Sequence, residues 1–113
     1  MADTDSVTVI CRFVVKPGKE GEMKALLANH WPTLHRLGMT TDEPAMVFQG
    51  VPASPEEELS HGASTSVFVE VFSWKDARQP GLAHESAEVL SVWEPMGAIC
   101  ESMEFPHFAK VDL

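Results

Sequence analysis

Between Thr65 and Trp74 the chain reads TSVFVEVFSW, and this stretch limits the possible folds more than any other. Its β-branched and aromatic residues predict a strand. Side chains alternate across a strand, so Val67, Val69 and Val71 point one way and Phe68, Phe72 and Trp74 the other. Both faces are apolar, and such a strand has to be covered on both sides. Its single charged residue, Glu70, falls on the aromatic face.

The flanking segments supply the cover. Ser6–Val15 predicts a first strand that stops at Lys16-Pro17-Gly18. From Lys19 the period lengthens: Met23, Leu26, Leu27, His30, Leu34 and Leu37 fall on one helical stripe, which Gly38 closes. Pro32 predicts a kink or break after Trp31. Ala45–Gln49 predicts a short second strand, and Gly50–Ser64 an irregular stretch with one helical turn at Ser54–Glu57. After Trp74-Lys75-Asp76 a second helix opens near His84. Val89, Trp93, Met96 and Cys100 share its stripe, and Pro95 interrupts it. Glu104–Val111 predicts a last, edge strand. The order β-α-β-β-α-β predicts an α+β, ferredoxin-like antiparallel sheet with both helices on one face. Its open face then calls for a second subunit, making a homodimeric α/β barrel.

Composition narrows the function classes. At 113 residues the chain suits a single domain with one core. Its net charge of −9 disfavours nucleic acid and anionic membranes, which demand clustered Lys and Arg. The acidic start Met1–Asp5 lacks the layout of a secretion signal, and Cys11 and Cys100 are far apart; both features suggest a cytoplasmic protein with free thiols.

With VFVEVFSWKD, then AHESAEV and the weaker PGKE turn in place, the chain resembles the antibiotic biosynthesis monooxygenase superfamily of dimeric α/β barrels from about Val7 to Val111. Related motifs carry a strand-end Trp-x-Asp and a His near the start of the second helix, here Trp74, Asp76 and His84. The resemblance implies a homodimer with a pocket between sheet and helices. The superfamily includes cofactor-free oxygenases of polyphenols, haem-degrading enzymes and isomerases. Two departures matter. The cofactor-free oxygenases carry Asn four residues before the strand Trp, where this chain has Glu70. The haem-degrading branch has Asn before the first-strand Arg and a His ligand along the second helix; here Cys11 precedes Arg12, and Trp93 and Glu94 stand at the helix position.

The candidate residues each carry two readings. Glu70 is a general base working without a cofactor on a small hydroxylated aromatic or quinol, or it is the structural ion-pair partner of Arg12 across the sheet. His84 is a second base or donor, or a helix-start histidine bonded to backbone. Trp74, Trp93, Phe72 and His30 frame a planar ligand, or simply fill the core. His30, His35, His84 and His107 have no recognised metal-ligand spacing. The alternative to an enzyme is a non-catalytic dimeric module that binds a small molecule or assembles with partners.

Overall fold

The computed structural model describes residues 6–50 and 66–113. The helical turn expected at Ser54–Glu57, and His61, lie outside those residues. Strand β1 spans Val7–Val15 and ends where Lys19 N–H closes a turn onto the Lys16 carbonyl, with Gly18 at φ 84°. Helix α1 runs over Glu20–Arg36 and buries Met23, Leu27, His30 and Leu34. Its end is a Schellman motif. Gly38 at φ 76° donates to the His35 carbonyl, and Met39 donates to that of Leu34. Pro32 leaves α1 unbroken; it sits on the exposed side of the helix.

Strands β2 (Met46–Gly50) and β3 (Ser66–Trp74) follow. A short helix α2 (Gln79–Ala83), absent from the sequence expectation, comes next. The carboxylate of Asp76 holds it, accepting the Arg78 backbone N–H at 3.0 Å and the buried Gln79 amide at 3.2 Å. His84 therefore caps the C-terminus of α2 rather than opening the long helix. That helix, α3, spans Ala87–Ile99, is capped by Ser86 accepting from Val89 N–H, and runs through Pro95. The helix ends at Ile99, so Cys100 leaves the expected stripe and opens β4 (Cys100–Glu104), which lies almost wholly before the strand expected at Glu104–Val111; of that stretch, His107–Phe108 forms the short β5.

The sheet order is β2-β3-β1-β4, all antiparallel, with β5 added beside β1. This is the ferredoxin-like arrangement, and its core lies between one sheet face and helices α1 and α3. Register decides which residues reach that core. Val9, Cys11 and Phe13 of β1 pair with Phe72, Glu70 and Phe68 of β3, and all six are buried.

A buried Glu-His-Trp relay beside an apolar cavity

Glu70 is fully buried on the aromatic face of β3. Arg12 is not its partner. Register sets Arg12 opposite Val69 on the other face of the sheet, where it meets Glu104 at 3.4 Å. The Glu70 partner comes instead from α1: His30 Nδ1 lies 2.6 Å from Glu70 Oε1. The other ring nitrogen, Nε2, is 2.8 Å from Trp93 Nε1 on α3.

An indole N–H can only donate, so Nε2 has to be the acceptor. A neutral imidazole accepting at Nε2 carries its proton on Nδ1, and that proton points at Glu70. The tautomer is thus set by chemistry on both sides of the ring. The short contact to the carboxyl is of the charge-assisted kind. Glu70 Oε2 is buried and has no hydrogen-bond partner among the described residues.

Next to this relay is a cavity of about 340 Å³, within the span of small-molecule sites at roughly 300–1,000 Å³. His30, Phe72, Trp74, Trp93 and His84 all contribute to its wall. Phe72 and Trp74 meet edge to face at 5.1 Å between ring centroids, and Phe72 meets His30 likewise at 5.7 Å. Exposed His84 stands at the mouth, its ring 4.7 Å from that of Trp93. Glu70 is absent from the wall: His30 stands between it and the cavity. Trp74 belongs to both expectations, being 4% exposed in the core and also part of the wall. Its Nε1 is buried without a partner among the described residues.

The wall also includes residues that sequence reasoning did not select. Cys11, buried, contributes to it, as do the exposed Met103, Phe105 and His107. Phe105 packs edge to face on Phe13 at 5.8 Å. Burial, and then the negative charge of Glu70 opposite, push the Cys11 thiol far above its ordinary range. That leaves it a filler and not a nucleophile. Among the described residues no group of three or more His, Cys, Asp or Glu is arranged to hold a metal ion. His35 stacks on Trp31 and bonds Asp42 at 2.9 Å, away from this cavity. Among the described residues no helix is long and apolar enough to cross a membrane.

Neither a protein-family model nor a curated protein sequence matches the chain. Solved structures do. SnoaB from Streptomyces nogalater, a cofactor-independent oxygenase, is similar at TM-score 0.64 and 16% identity in a variant form, over 96% of each chain. A Bordetella bronchiseptica protein assigned by inference to the antibiotic biosynthesis monooxygenases is similar at TM-score 0.65 and 18% identity, over 95% of this chain and 98% of that one. The chain shares the fold of both proteins. A hydroxynitrile lyase from Passiflora edulis shares it at TM-score 0.58 and 12% identity, over 97% of each chain. This fold therefore accommodates more than one chemistry.

Proposed function

We propose that the chain is a homodimeric, cofactor-independent oxygenase acting on a small hydroxylated aromatic or quinol. The observation that carries this reading is the cavity: aromatic walls beside a histidine whose tautomer is set by a buried carboxylate. The similarity to SnoaB, itself a cofactor-independent oxygenase, supports the class of chemistry. Phe72, Trp74 and Trp93 suit a planar ring, and the proton-handling groups are His84 at the mouth and Glu70 acting behind His30.

The chemistry needs no group beyond substrate and O₂. A base removes a proton from the substrate, from an activated ring CH₂ or from the hydroxyl of its enol tautomer, and either loss leaves the same anion, delocalised over oxygen and ring carbon. One electron passes to O₂, the two radicals combine, and protonation gives a hydroperoxide. Loss of water from CH–OOH leaves C=O, so one CH₂ and one O₂ become one carbonyl and one water. General-base catalysis contributes typically about 10²–10⁴-fold. Glu70→Gln is expected to lose oxygen uptake with an anthrone-like polyphenol by about that factor while the dimer stays intact. Uptake at the wild-type rate would remove Glu70 from the mechanism, and an equally active His84→Ala variant would leave His84 a structural residue. One observation favours a second reading, a dimeric module that binds without reacting: both His30 nitrogens are already satisfied within the chain. Binding of polyphenols without oxygen uptake would decide for that module.

A further inference from the structure

The Trp93–His30 hydrogen bond is a donor facing an acceptor on the wall of the cavity. A hydroxyl group is the complement of that pair, since it gives one proton and accepts another. We propose that the bond is a placeholder for the substrate hydroxyl, and that His30 is the group that receives the substrate proton. This rests on the oxygenase reading of the same cavity. The hydroxyl enters between the two rings, donates to His30 Nε2 and accepts from Trp93 Nε1–H.

Several observations converge on this assignment. His30 is the member of the relay that reaches the cavity; Glu70 does not. The Nδ1–H bond to Glu70 keeps the lone pair of His30 on Nε2, the nitrogen turned to Trp93. Trp93 is half-buried and edges the exposed His84, so the latch sits on the mouth side of the cavity rather than in the packed core. The transfer is balanced without any further reactant. The O–H bond breaks, its proton forms the Nε2–H bond, and the imidazolium's positive charge faces the Glu70 carboxylate. The electron pair stays on the substrate oxygen, delocalised into the ring, where Trp93 N–H now donates to it. Glu70 is a positioning residue, and Trp93 is both placeholder and oxyanion donor.

The proposal fixes a specificity. A hydroxyl breaks one bond and makes two; its methyl ether breaks one and makes one, stranding Nε2 in an apolar cavity. Wild-type protein is expected to bind β-naphthol more tightly than β-naphthyl methyl ether by about five- to a hundredfold. The double variant His30→Phe/Glu70→Leu removes both relay partners at once, which keeps either from being left buried and unpaired. It is expected to bind the two probes equally. Nitrogen-15 NMR of His30 in the free wild-type protein supplies a check that needs no variant: Nδ1 carries the proton and Nε2 does not. On adding β-naphthol, the Trp93 indole N–H resonance moves, and the His30 Nε2 resonance moves with it as its donor changes from an indole N–H to a phenolic O–H. Glu70→Gln keeps the tautomer, because the amide oxygen still accepts from Nδ1–H, and retains β-naphthol binding while turnover falls. A proton found on Nε2 in the free protein overturns the assignment, as does equal affinity for the two probes in wild type or a preference that survives in the double variant. If both probes bind without that preference, the placeholder alone fails. If neither binds, the aromatic-pocket reading fails with it.

Discussion

At the scale of single residues, parity along a strand decides who meets whom. Arg12 and Glu70 do lie on neighbouring strands, yet Cys11 occupies the position opposite Glu70 and Arg12 faces the other way. The signal for the true partner was in the sequence. His30 is a polar residue on the apolar stripe of α1, just as Glu70 is on the aromatic face of β3, and two such residues facing one core tend to satisfy each other. Cys11 and Cys100 provide a pH test of this packing. Burial holds both thiols protonated, raising Cys100 to about 11 against the pull of Lys16 and Cys11 still further. An unfolded thiol ionises near about 8.5, so above that pH the unfolded chain holds fewer protons than the folded one. Stability therefore falls as pH rises from there, and the contribution from Cys100 levels off near 11. Urea denaturation at stepped alkaline pH is expected to show this decline. A Cys11→Ala/Cys100→Ala double variant, weaker at neutral pH through lost packing, should decline less steeply; parallel slopes would refute the account.

At the scale of elements, β1, β3 and the two long helices were legible because their periods run long, whereas β4 was not, since its first residue, Cys100, continues the stripe of α3. The stripe Met23-Leu27-His30-Leu34 and the alternation through Val67–Trp74 each repeat often enough to identify their element. Helix α2 was not legible. It has only five residues, includes Pro80 and Gly81, and depends on the side chain of Asp76 for its first turn. The prolines misled in the opposite direction. An exposed Pro costs a helix one hydrogen bond, but packing of the opposite face carries Pro32 and Pro95 through. Gly38 was read correctly, and it separates backbone strain from crowding. A Cβ placed there meets nothing within 4 Å, so any penalty comes from its φ of 76° alone. Gly38→Ala is expected to lower unfolding free energy by about 1–2 kcal/mol without altering the cavity. A chemical-denaturation midpoint unchanged from wild type would show that the Schellman turn relaxes freely.

At the scale of the whole molecule, the sheet has a second face that the described residues of one chain leave largely open. Ile10, Val69 and Val71 are half-buried there, and Met46, Phe48 and Phe108 are 48–55% exposed on the same side. Six apolar side chains on one contiguous antiparallel surface are more than a monomer usually presents to water. The inner face cannot take them, because α1 and α3 already cover it. A two-fold packing of this face on its own copy covers it in the simplest way. Light scattering is therefore expected to report twice the 12.4 kDa chain mass. Val71 lies in the middle of the patch, between Ile10 on β1 and Met46 on β2. Val71→Asp would put an unpaired carboxylate into the contact, which costs about 3–5 kcal/mol where a buried charge has no partner. The variant should dissociate at concentrations where wild type stays dimeric. Its side chain points away from the relay, so the bond between Trp93 and His30 should survive in the monomer and be visible in the same NMR spectrum. Loss of that bond together with the dimer would mean that the second subunit shapes the cavity; a Val71→Asp protein still dimeric at low concentration would place the contact elsewhere.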